Sequence, residues 1–81
     1  MEKEIIIKST VGLHASLAAK LVQMASKYDA DVKLIYHDKV VDAKSVLGLI
    51  SLAIPCGENV KLISTGKDAE KALKEIQKIL G

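Results

Sequence analysis

The chain has 81 residues, 49% of them hydrophobic and 27% charged, with 12 basic against 10 acidic side chains. That is the size of one domain (residues 1–81), too apolar for a disordered tail, and a formal charge of +2 is too small to imply a nucleic-acid partner. The single cysteine, Cys56, excludes an intramolecular disulfide and a C-x-x-C metal site, and the longest apolar run, Val46 to Pro55, falls far short of the roughly 20 residues of a membrane span.

The amino-terminal segment lacks a signal peptide's long apolar stretch, so the expectation is a cytoplasmic protein without membrane insertion. In chain order, Ile5, Ile6 and Ile7 read as a short buried strand, and Ser9 to Gly12 as a loop. Leu17, Ala18, Leu21, Met24, Ala25 and Tyr28 then form a helical stripe, with Lys20, Gln23 and Lys27 on the opposite face. Val32, Leu34 and Tyr36 alternate with Lys33, Ile35 and His37 as a half-buried strand. Asp38-Lys39 is the expected tight turn, and Val40 to Ala43 the returning strand.

Ser45 precedes a short apolar helix from Val46 to Leu52, closed by Pro55 and Gly57. Val60, Leu62 and Ser64 mark a fourth strand. The last segment sets Ala69, Ala72, Leu73, Ile76, Ile79 and Leu80 against interleaved lysines and glutamates, with Asp68 placed to cap it. The order β-α-β-β-α-β-α predicts a small α+β sandwich, with helices covering one face of an antiparallel sheet.

The stretch Gly12-Leu13-His14-Ala15-Ser16-Leu17-Ala18-Ala19 holds the chemistry. It sets a histidine at the start of a helix, among small residues that leave room for a partner. The free N–H groups of a first helical turn favour an anion, and a neutral imidazole can attack a phosphoryl group and hold the product beside those donors. The competing reading of His14 is a loop histidine without a role.

This stretch resembles the G-L-H-A-R-P-A-A signature of HPr, the histidine-containing phosphocarrier of the phosphoenolpyruvate-dependent sugar phosphotransferase system. The run Ala43-Lys44-Ser45-Val46-Leu47-Gly48-Leu49-Ile50-Ser51-Leu52 resembles the family's regulatory-serine region, so the likeness covers the whole chain. It implies an open-faced sandwich of a four-stranded antiparallel sheet and three helices. It further implies that His14 takes a phosphoryl group on Nδ1 from enzyme I and passes it to sugar-permease IIA domains. The amides of Ala15, Ser16 and Leu17 would stabilise that group, and Leu13, Ala19, Lys20, Leu47 and Ile50 would form the docking patch. Ser45 would be the target of an HPr kinase, with a catabolite regulator as partner of the phosphorylated form. A carrier of this kind is not itself an enzyme, needs no cofactor or metal, and is expected to be a monomer.

The sequence departs from the signature where its arginine and proline become Ser16 and Leu17. A charge-assisted hydrogen bond contributes about 1.5–3 kcal/mol, so the lost arginine corresponds to a transfer slower by roughly one to two orders of magnitude. The vacancy can be filled by a donor from the partner or by Lys20, one helical turn on. Ser16 also reads as a helix N-cap, which would start the helix later and move its N–H groups away from His14. The alternative function is therefore an HPr-like regulatory binding module, of the catabolite-repression type, with weak or lost carrier activity. His37 reads as a solvated hairpin residue and Cys56 as a spare thiol.

Overall fold

Alternation with a period of two becomes a four-stranded sheet, and alternation with a period near 3.6 becomes three helices packed on it. The computed structural model describes residues 1–8 and 14–80. The elements are β1 (Glu2–Ile6), α1 (Ala15–Ser26), β2 (Asp31–Tyr36), β3 (Lys39–Asp42), α2 (Val46–Ser51), β4 (Asn59–Thr65) and α3 (Ala69–Leu80). The strands lie in the order β1-β4-β2-β3, every pair antiparallel. This is the expected open-faced sandwich. The loop expected at Ser9 to Gly12 lies outside the described residues.

Strand parity decides what is buried. Ile5, Val32, Leu34, Val60 and Leu62 face the helices and are buried, while Lys33, Lys61 and Ile63 on the other parity are half-exposed. The three successive isoleucines follow the same rule and do not form a wholly buried strand. Ile5 and Ile7 are buried, but Ile6 between them is 53% exposed, because neighbouring side chains on a strand point to opposite faces. Ile7 lies just past β1, yet its N–H donates to the Glu58 carbonyl and its own carbonyl accepts from Gly57 N–H, so the pairing continues.

Two local expectations shift. The β2–β3 turn is His37-Asp38, one residue earlier than Asp38-Lys39, because Tyr36 and Lys39 are still paired across the hairpin. His37 takes the left-handed conformation, with φ 55°, which histidine tolerates better than most residues. Accordingly β3 ends at Asp42, and Ala43 beyond it is buried.

Asp68 caps α3 through its backbone only. Its carbonyl accepts from Ala72 N–H at 2.9 Å, while its carboxylate accepts from Asp29 N–H, also at 2.9 Å. Asp68 N–H returns a bond to the Asp29 carbonyl, so the start of α3 is tied to the loop after α1. Gly66, at φ 113°, makes this approach possible. A Cβ there would stand 3.1 Å from the Asp29 carbonyl oxygen.

The core is the layer between sheet and helices. Leu17, Ala18, Leu21 and Ala25 of α1 meet Leu73, Ile76 and Leu80 of α3 and Leu49 of α2 there. Each fully buried leucine or isoleucine contributes roughly 1.5–3 kcal/mol relative to an exposed one. Ser64 is the one buried polar side chain among the described residues, and its hydroxyl donates to the Ala69 carbonyl at 2.9 Å. No helix among the described residues is long and apolar enough to cross a membrane.

Candidate functional site

His14 occupies the N-cap of α1. Its backbone is extended (φ −112°, ψ −179°), its carbonyl accepts from Ala18 N–H at 2.8 Å, and its Nδ1 accepts from Ser16 N–H at 3.2 Å. The helix therefore begins at Ala15, and Ser16 is not the cap. Serine is the commoner capping residue, but an imidazole nitrogen with a free lone pair fills the same role when the chain enters extended. The histidine stands at the helix start as read from the sequence, and the alternative of a Ser16 cap with a later start is set aside.

Accepting at Nδ1 fixes the chemistry of the ring. A nitrogen that receives an N–H bond cannot hold a proton, so neutral His14 carries its proton on Nε2 and keeps its nucleophilic lone pair on Nδ1. That lone pair points at the helix's positive end. The N–H groups of Ala15 and Leu17 belong to the first turn, where no helical carbonyl can accept from them. Half-buried His14 lies beside exposed Ala15 and Ser16, while Leu17 turns into the core.

On the same helix, Ala19 is half-buried and Lys20 exposed. Helix α2 packs against α1 and β3, holding Leu49 in the core and leaving Leu47 82% and Ile50 37% exposed. These two are large apolar side chains that the fold does not use. Leu13 lies outside the described residues.

Ser45 caps α2, as a serine in that position should. Its Oγ accepts from Gly48 N–H at 3.1 Å, and the side chain is exposed. A Cβ on Gly48 would come within 3.1 Å of Ser45 Oγ and 3.5 Å of Val41 Cβ, so the glycine lets α2 lie close to β3. The turn into the helix is set by Asp42, whose Oδ1 accepts from Lys44 N–H at 2.9 Å. That bond, helped by the nearby Lys33 and Lys44 charges, holds the Asp42 carboxyl below its ordinary range against the opposing effect of burial.

His37 and Cys56 take no part in these contacts. His37 stands at the hairpin tip with its ring 4.2 Å from that of Tyr36, and Cys56 is a free, exposed thiol. No group of three or more His, Cys, Asp or Glu able to hold a metal occurs among the described residues.

The family model for the PTS HPr component phosphorylation site matches residues 1–81. The chain belongs to the HPr family. It is 38% identical over 76 residues to the phosphocarrier protein NPr of Shewanella violacea, covering 94% of this chain and 84% of that protein. It is 40% identical over 82 residues to the phosphocarrier protein HPr of Haloferax volcanii, covering 99% and 92%. The HPr-like protein Crh of Bacillus subtilis is 38% identical over 76 residues, covering 94% and 89%. Among solved structures, HPr of Thermoanaerobacter tengcongensis superposes with a TM-score of 0.93 at 40% identity, covering 99% of this chain and 90% of that one. HPr membership makes the chain a phosphocarrier-family protein.

Proposed function

We propose that this protein is a phosphocarrier of the phosphoenolpyruvate-dependent sugar phosphotransferase system, taking a phosphoryl group on His14 from enzyme I and passing it to IIA domains. The observation that carries this reading is the Nδ1 lone pair of His14 directed at the start of α1. In the forward step Nδ1 attacks phosphorus, the bond from phosphorus to the donor atom breaks, and its electron pair leaves with the donor. The Nε2 proton stays in place. Ser16 N–H is released from Nδ1 and becomes a donor to the new phosphoryl group, together with the first-turn amides of Ala15 and Leu17.

Partners would dock on Leu13, Ala19, Lys20, Leu47 and Ile50. Ser45 is the proposed regulatory site, because its exposed hydroxyl stands at a helix N-terminus where added negative charge is tolerated by the fold. An HPr kinase would phosphorylate it, and a catabolite regulator would bind the product. We place the protein in the cytoplasm as a monomer with no cofactor. A monomer predicts a single species of the chain's mass by light scattering; the crystal structure of the relative Crh is described as a swapped dimer.

The test is incubation with phosphoenolpyruvate and enzyme I. Acid-labile phosphate that disappears in His14→Ala is expected, and its absence from the natural protein would sink the carrier role. A second reading has its own support in Ser16, Leu17 and the likeness to Crh: a regulatory binding module with weak transfer. The double variant Ser16→Arg, Leu17→Pro separates them. A gain of roughly ten- to a hundredfold in transfer marks a binder that has drifted from the carrier role.

A further inference from the structure

Helix α1 carries one charged residue in its whole length, Lys20, and no acidic residue stands in its first turn. No Asp or Glu occurs anywhere from residue 5 to residue 28. Lys20 is exposed and, like most of the chain's lysines, makes no ion pair among the described residues. Lys20 is the sixth of the twelve residues of α1, beyond the first turn and short of the last, so neither end of the helix dipole favours a cation there.

Its position is defined by Ser16. Residues four apart on a helix are surface neighbours, and long helical side chains lean toward the N-terminus over the preceding turn. A Lys20 side chain that follows this preference passes over exposed Ser16 toward the amide that holds His14 Nδ1. Ser16 is too short to obstruct it. The other lysines of this region are placed differently. Lys27 follows the last turn of α1, and Lys44 has Asp42 hydrogen-bonded to its own N–H.

Resting on the phosphocarrier reading, we infer that Lys20 supplies the positive charge beside the phosphoryl group on His14, from one helical turn beyond the place where the family carries arginine. Lysine acts here as a mobile point charge and not as a fixed fork, so its contribution is electrostatic, screened by salt, and largely restored by arginine at the same position.

The experiment uses two phosphoryl donors on the full chain. Potassium phosphoramidate phosphorylates exposed histidines without any protein partner, and 31P NMR identifies the Nδ1 adduct and follows its formation and hydrolysis. Lys20→Gln is expected to slow formation by about three- to tenfold at low salt, with the difference shrinking toward one in molar salt, and Lys20→Arg is expected to recover most of the rate. Equal rates for the natural protein and Lys20→Gln at low salt would overturn the assignment. So would an effect unchanged by salt or unrescued by arginine. In the second arm enzyme I and phosphoenolpyruvate are the donor. A protein that phosphoramidate modifies at His14 but enzyme I does not would overturn the carrier reading and leave the first arm to decide Lys20. An effect of Lys20→Gln seen only with enzyme I would make the lysine a docking residue and nothing more.

Discussion

Helices α1 and α3 are both 12 residues long, both lie on the same face of the sheet, and pack against each other, yet they are built to different rules. Helix α3 follows most of the electrostatic preferences of an isolated helix, Lys71 in its first turn being the exception. It has Glu70 in its first turn, Lys78 in its last, and a Glu70–Lys74 ion pair at 3.7 Å on its surface. Helix α1 has no acid in its first turn and no base in its last, is capped by a histidine, and carries a single lysine at its middle. An acid at the start of α1 would stabilise it by about 0.3–1 kcal/mol. Under the proposed carrier role it would also fill with negative charge the place where a phosphoryl group arrives. On that reading the difference between the helices is that between one that only holds the fold and one that also binds an anion.

The largest effect that separates them is expected from His14→Ala. Acid-labile phosphate should vanish completely, while loss of the cap lowers stability by only about 0.5–2 kcal/mol, measured by urea denaturation. Retained phosphate would place the acceptor elsewhere and end the contrast. Next come the buried faces, where the two helices should behave alike. Leu21→Ala in α1 and Ile76→Ala in α3, both fully buried, should each cost about 2–5 kcal/mol. A much smaller loss at Leu21 would show that α1 contributes less to the core than its burial indicates.

Ser16→Asp rewrites α1 by the rules of α3. Thermal unfolding should rise by the equivalent of about 0.3–1 kcal/mol, while phosphorylation of His14 slows by about tenfold through like-charge repulsion. Stability and phosphorylation moving in the same direction would contradict the account of α1 given above. The smallest effect belongs to Glu70→Gln. It should cost about 0.3–1 kcal/mol in α3 and leave phosphorylation unchanged.

Helix α3 could be read from the sequence almost residue by residue, because its apolar and charged positions separate cleanly at the helical period. The alternating strands at Val32–Tyr36 and Val60–Ser64 were legible for the same reason. What periodicity does not carry is pairing between distant segments: nothing in Glu2–Ile6 says that it lies beside Asn59–Ile63, and the strand order is supplied by the structure. The hairpin turn was displaced by one residue because Asp38 is the better turn former by type, whereas the register of Tyr36 with Lys39 puts His37 in the left-handed position. The site was legible as a histidine at a helix start. Its cap was not, since serine two positions later matches capping preference better and only the extended backbone at His14 brings Nδ1 to Ser16 N–H. Asp68 misled in a related way, its carboxylate being drawn to Asp29 by a contact remote in sequence.

The sheet order β1-β4-β2-β3 also sets a schedule for assembly. The β2–β3 hairpin closes a two-residue loop and needs no other part of the chain. Strand β1, by contrast, is an edge strand paired with β4 among the described residues, and the two are far apart in the chain, with β2, β3 and two helices between them. Closing so long a loop costs entropy before any contact offsets it, so β1 is expected to join last, after β4 has added to the hairpin. Pulse-labelling hydrogen exchange during refolding should find the amides of β2 and β3 protected while those of Glu2–Ile6 still exchange, and simultaneous protection would contradict this order. During that interval Ile5 and Ile7 have no core, and the apolar edge they will cover stands open to solvent.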